Sequence, residues 1–147
     1  MPHDVAETWG ALLKVHAALV PRFDRELQET HGLPMTWYDV LLELNAAPER
    51  RLTMGQLGSV AAVSRTRVSR VVDELTRAGL VARDPNPDDG RSAFAVLTPA
   101  GRAALRTAAP TYLAAVQREF ADHLTAREAE VLARALHKVL AASAPGP

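Results

Sequence analysis

The sequence predicts a mainly α-helical domain with a minor β component, and three observations lead there. Apolar residues recur three and four positions apart through most of the chain, as on one face of a helix. A threonine followed three residues later by Asp, Gln or Glu recurs in "TWYD", "TMGQ" and "TARE", and each pair can cap the start of a helix. One place breaks the helical rhythm. "LVAR" and "SAFAVL", short runs with β-branched or aromatic residues, flank the stiff polar tip "DPNPDDGRS" and read as two paired strands.

A chain of 147 residues suffices for one domain with a proper core and is short for two, so residues 1–147 are read as a single domain. Hydrophobic residues make up 48% and charged residues 23%, an ordinary globular composition. No apolar run approaches the roughly eighteen residues of a membrane span. "MPHDVAETWG" lacks the basic start and apolar centre of a secretion signal, so a cytoplasmic protein with no membrane partner is expected. With zero cysteines, disulfides and thiolate chemistry are out of reach. The five histidines show no ligand spacing, and there is no glycine-rich phosphate loop or nucleophile motif. An enzyme, a cofactor and a metal site are therefore not expected.

The formal net charge of zero hides a segregation. Residues 50–106 hold ten arginines against five acids, whereas residues 1–49 hold three basic residues against eight acids. A basic middle suggests an anionic partner for that segment, although a solvated arginine-rich surface would look the same.

Taken in order, residues 5–30 carry helical apolar spacing, with Pro21 expected to kink or divide the helix. Gly32 and Pro34 stop it. A second helix opens at Thr36, with Asp39 as the capping-box acid, and closes before Pro48. Thr53 and Gln56 start a short helix of about two turns. "VSRTRVSRVVDELTRAGLV" follows, with Ser64 as N-cap and Gly79 as the stop. Val68, Val71, Val72 and Leu75 form its buried stripe. Thr66, Arg70, Asp73 and Arg77 fall opposite, with Arg65, Arg67 and Ser69 on the flanks. After the two strands, Thr98 and Pro99 open a helix expected to run to about residue 123, with a possible bend at Pro110. A last helix begins at the Thr125–Glu128 capping box and is expected to bury Val131, Leu132, Ala135, Leu136, Val139 and Leu140.

Two helices joined by a short turn, the second with an arginine-rich face, form a helix-turn-helix, and the hairpin behind it adds a wing. Such a second helix can enter the major groove of double-stranded DNA, where Arg pairs bidentately with guanine and Ser or Thr reach bases or phosphates. Ser64, Arg65, Thr66, Arg67, Ser69, Arg70 and Arg77 are the candidate contacts. At the wing tip Pro85 and Pro87 limit the loop's freedom and Gly90 permits the turn. Arg91 is then placed to enter a narrow minor groove, while Asp89 pins an arginine by an ion pair. A winged helix used only for protein contacts is the competing class, as is a DNA-binding protein that answers to no ligand. The first of these predicts a weak basic face, whereas Arg65, Arg67 and Arg70 crowd the start of the reading helix.

The segment "VSRTRVSRVVDELTRAGLVARDPNPDDGRSAFAVLTPAG" resembles the core of the multiple-antibiotic-resistance regulator (MarR) family. The marks are Asp89 and Arg91 in the wing, Leu97-Thr98 and Gly101 after it, and Leu75, Gly79, Leu80 and Arg83 before it. The resemblance implies a homodimeric transcriptional regulator, a repressor of nearby genes bound to a pseudo-palindromic operator. Residues 36–98 would form the DNA-binding lobe, and 1–33 and 99–147 the dimerisation helices. The apolar stripes of those outer helices need partners in any case, and a second copy supplies them. The resemblance further implies a small aromatic or phenolic effector held between platform and lobe. Polar residues among apolar ones on the first two helices make His16, Trp37, Tyr38 and Asp39 the candidate pocket.

Overall fold

The computed structural model describes residues 4–89 and 93–143. Helix α1 (Val5–His31) starts where the Asp4 carboxylate accepts the Ala6 N–H at 2.9 Å. It ends at Gly32, whose φ of 64° lies in the left-handed region that glycine reaches without strain. The helix runs unbroken through Pro21, contrary to the expected division. Proline removes one backbone donor from an interior turn. Phe23 and Leu27, buried just beyond it, hold the following turns in place.

Helix α2 (Met35–Ala46) corrects the sequence reading at its start. The helix already includes Thr36, so that residue cannot be its cap, and no side chain caps at Pro34. The Met35 N–H instead donates to Oδ1 of Asp24 on α1, at 2.8 Å, so the cap comes from a neighbouring helix. Asp39 is thereby freed for another task. A tight turn at Pro48–Arg50 leads into strand β1 (Arg51–Thr53), which the sequence reading did not include. Three residues are too few to show a period of two. Helix α3 (Met54–Val60) has the expected capping box, with Thr53 and Gln56 exchanging hydrogen bonds at 2.9 and 3.1 Å.

Helix α4 (Arg65–Arg77) ends in a paired closure: Gly79 N–H reaches Thr76 O at 3.1 Å and Leu80 N–H reaches Leu75 O at 3.0 Å. Gly79, at φ 77°, makes that geometry possible. Ser64 stands at the cap position without a side-chain cap hydrogen bond; its hydroxyl lies 3.3 Å from that of Thr66. Strands β2 (Val81–Pro85) and β3 (Ala93–Leu97) pair antiparallel, Val81 opposite Leu97 and Pro85 opposite Ala93. β1 adds to the far edge of β3, giving the order β1-β3-β2. The expected two-stranded wing is thus part of a three-stranded sheet.

Helix α5 (Pro99–Glu119) is capped by Thr98, whose hydroxyl accepts from Gly101 N–H and donates to Gly79 O at 2.7 Å. A single side chain so ties the end of α4 to the start of α5. Gly101 packs against the backbone there: a Cβ on it would lie 2.1 Å from Leu80 O. The helix passes through Pro110 and stops at Glu119, short of the expected end, because a separate turn at Ala121–His123 follows. Helix α6 (Ala126–Ser143) begins at the predicted Thr125–Glu128 capping box.

One apolar core joins these pieces. Leu41 and Leu44 of α2, Leu57 of α3, Val68, Val72 and Leu75 of α4, and Ala95 of β3 pack with Leu27 of α1 and Leu105 and Ala108 of α5. The stripe expected to be buried on α6 is not buried within the chain, since no residue of that helix is. Its Val131, Val139 and Leu140, like Val5, Trp9 and Leu13 of α1, face outward.

Candidate nucleic-acid interface

Helix α4 divides as its spacing predicts. Val68, Val71, Val72 and Leu75 are buried, while Arg65, Thr66, Arg67, Ser69, Arg70 and Arg77 are exposed, as is the preceding Ser64. Its two acids are both engaged. Glu74 Oε2 accepts the indole N–H of Trp37 at 2.8 Å, which locks α4 to α2, and Arg83 of β2 donates to Asp73 Oδ1. Among the described residues, Arg67, Arg70 and Arg77 have no carboxylate within 4.0 Å. The face therefore presents three arginines without a carboxylate partner among the described residues. Arg65 is partly restrained, its guanidinium donating to the Ser59 hydroxyl of α3 at 3.3 Å.

Two contacts set the aim of this face. Asp39 Oδ2 accepts the Ala62 N–H at 2.6 Å and so fixes the turn between α3 and α4. Burial pushes the Asp39 carboxyl above its ordinary range, and that hydrogen bond pulls back against it. The Arg83–Asp73 pair fastens the root of the hairpin to α4. On the other side of the sheet Arg51 lies over the Phe94 ring at 4.3 Å and pairs with Glu49 at 3.1 Å. At the tip, Asn86 accepts the N–H groups of Asp88, through its side chain at 3.0 Å, and of Asp89, through its carbonyl at 3.3 Å. Gly90, Arg91 and Ser92 lie outside the described residues, and the expected aim of Arg91 lies there with them.

Behind α4 is a cavity of about 630 Å³ between α1, α2, α5 and the start of α4. His16, Tyr38 and Asp39, three of the four residues proposed for a pocket, line it. Trp37 does not; successive helical residues point about 100° apart, and its ring is committed to Glu74. His16 is exposed rather than a core histidine. The lining residues outside that set include Tyr112 and Arg67. The Tyr112 ring of α5 lies tilted at 4.6 Å from the Tyr38 ring, and Arg67 brings a cation from α4. Nothing in the sequence links Tyr112 to Tyr38, because 73 intervening residues must fold before they meet. Burial raises the phenol pKa of both tyrosines above the usual range, so both present O–H donors.

No helix among the described residues is long and apolar enough to cross a membrane, and no cluster of His, Asp and Glu there could hold a metal ion. The model of the MarR family matches residues 31–92 of the chain. No curated protein matches it by sequence. A MarR family transcriptional regulator from Streptomyces coelicolor, solved in complex with DNA, is 33% identical with a TM-score of 0.87, over 96% of this chain and 92% of that one. AbsC, another MarR family regulator from Streptomyces coelicolor, is 31% identical with a TM-score of 0.82, over 95% and 94%. BpsR of Bordetella bronchiseptica, whose DNA binding is regulated by 6-hydroxynicotinic acid, shares the fold at 24% identity and a TM-score of 0.79, over 95% and 97%.

Proposed function

Since the chain belongs to the MarR family, and is thus a DNA-binding transcriptional regulator rather than an enzyme, we propose that it works as a homodimer on a pseudo-palindromic operator. The observation that carries this reading is the arginine face of α4, exposed and uncompensated beside the hairpin. In a two-fold dimer the two α4 helices would enter successive major grooves, so the half-sites repeat at about one helical turn. Arg67, Arg70 and Arg77 serve as the cations, with Ser64, Arg65, Thr66 and Ser69 at the helix start. Asp89 and Arg91 act at the wing, the latter in the flanking minor groove.

Residues 1–33 and 99–147 supply the dimerisation helices around the lobe of 36–98. What supports this is the apolar surface left on α1 and α6, where Val5, Trp9, Val139 and Leu140 are at least 60% exposed. Repression follows from bulk alone: a dimer seated on promoter DNA occludes it. The cavity suits a small aromatic acid, whose ring would lie against Tyr38 and Tyr112 while its carboxylate pairs with Arg67. Arg67 would then be drawn away from DNA, and operator affinity would fall.

Sequencing DNA fragments selected by the purified protein tests the first part. A single two-fold-symmetric site should be enriched, and selection of no common sequence would overturn the operator reading. A panel of aromatic acids titrated against the bound operator tests the second, with Tyr38→Phe and His16→Ala expected to blunt the response. A panel that leaves both operator affinity and melting temperature unchanged would overturn the pocket.

A further inference from the structure

A second cavity, of about 500 Å³, lies where the sheet passes into α5. Arg50, Arg102 and Arg106 all line it. Arg102 and Arg106 are four residues apart on α5 and so share one face. Arg50 comes from the turn before β1, where both Glu49 (φ 56°) and Arg50 (φ 53°) take the left-handed backbone that side chains rarely adopt. None of the three arginines has a carboxylate within 4.0 Å among the described residues. The Arg102 Nε–H is buried without an acceptor there. Like charge on Arg106 and then Arg50 pulls the Arg102 pKa below its ordinary value. The first turn of α5 also holds no acid, so these cations stand near the positive end of a 21-residue helix. Arg50 and Arg106 are exposed and Arg102 is half-buried, so a ligand entering the cavity can reach all three.

We propose that Arg50, Arg102 and Arg106 form a binding site for a phosphate group, separate from the reading helix and from the aromatic cavity. A guanidinium presents a planar fork of donors that matches the oxygens of phosphate or carboxylate. Three of them around one cavity call for more charge and more acceptors than one carboxylate has, and phosphate supplies both. The site lies at the root of the hairpin. β3 pairs with β2 from Ala93 at the tip end to Leu97 at the cavity, a span of about 13 Å. A bound phosphate would cross-link the turn before β1, in the DNA-binding lobe, to α5, which runs into the terminal platform. It would thereby stiffen the joint between them.

The phosphate could belong to a free small molecule or to a duplex backbone, and titrating the full-length protein with inorganic pyrophosphate, then with random-sequence DNA, separates the two. Saturable binding of pyrophosphate with a rise in melting temperature is expected, weakened about ten-fold or more by Arg102→Ala and by Arg106→Ala. If pyrophosphate binds and the salt slope of DNA binding is the same for Arg106→Ala as for wild type, the site serves a free phosphate. If that slope instead shrinks by roughly 0.9 per subunit, the site holds the duplex backbone. Both outcomes uphold a phosphate site. Pyrophosphate binding that is absent, or equal in wild type and both variants, together with an unchanged salt slope, would overturn it.

Discussion

In the lobe built from α2, α3, α4 and the sheet, Leu41, Leu44, Leu57, Val72 and Leu75 are completely buried, whereas Val131, Val139 and Leu140 of α6 remain 46%, 61% and 66% exposed. Both regions follow the same spacing of apolar residues three and four apart. The difference is in what the chain can bring against each stripe. Between residues 35 and 97, helices and strands fold back within a few residues of one another, and each covers its neighbour. No other element among the described residues covers the apolar stripe of α6. An amphipathic pattern therefore states that a face needs covering but not which molecule covers it. In the lobe the cover is intramolecular. On α1 and α6 a second copy is the proposed cover.

Substitutions in the two regions should differ in kind. Gly101→Ala is the most damaging expected, because the added Cβ would lie 2.1 Å from Leu80 O and 2.8 Å from Leu97 Cδ1. Backbone must move, and thermal or urea unfolding should register a loss on the order of 3 kcal/mol or more. Unchanged stability would mean that α5 is not seated against the lobe as described. Leu75→Ala should cost about 2–5 kcal/mol through the cavity it opens. Leu140→Asp should leave the fold of the single chain intact yet abolish a dimer, as seen by sedimentation. A dimer that survives Leu140→Asp would put the interface elsewhere and collapse the contrast.

Arg70→Ala should weaken operator binding by about 1–3 kcal/mol and relax preference at particular base pairs, if its contact is to a base edge. Equal losses on operator and random DNA would reduce Arg70 to a phosphate contact. Arg70→Ala should also leave the melting temperature nearly unchanged, since its side chain is exposed and bonds to no described residue.

The smallest effect concerns Asp39, whose burial raises its pKa above the ordinary 3.8. As pH rises through the window from about 3.8 to that raised value, the native state keeps a proton that the unfolded chain releases. Stability from this group is therefore lost on going up in pH and does not return above the window. Asp39→Asn retains an acceptor for the Ala62 N–H without a buried charge. Its melting temperature should rise relative to wild type between acid and neutral pH. Parallel curves for the two proteins would show that burial of the charge has no effect on stability.

Much of the secondary structure was legible in the residues alone because its signals act over short distances. The Thr53–Gln56 and Thr125–Glu128 boxes, the Gly79 closure, the Thr98 cap and the buried face of α4 each depend on residues within one or two turns. Local chemistry suffices for these. The errors share the opposite property. Thr36 and Asp39 look like a cap, but Asp24, eleven residues before Met35, reaches that helix end first, and Asp39 turns to Ala62. β1 has too few residues to announce itself and exists because β3 offers it an edge. Trp37 neighbours Tyr38 in the sequence and looks like its partner in a pocket, but its indole goes to Glu74. The convergence of Arg50 with Arg102 and Arg106, and of Tyr38 with Tyr112, is likewise invisible along the chain. Spacing encodes the face on which a side chain lies, because the helical period is a local property of the backbone. Which groups meet across the gap depends on how whole elements pack, and no single segment contains that information.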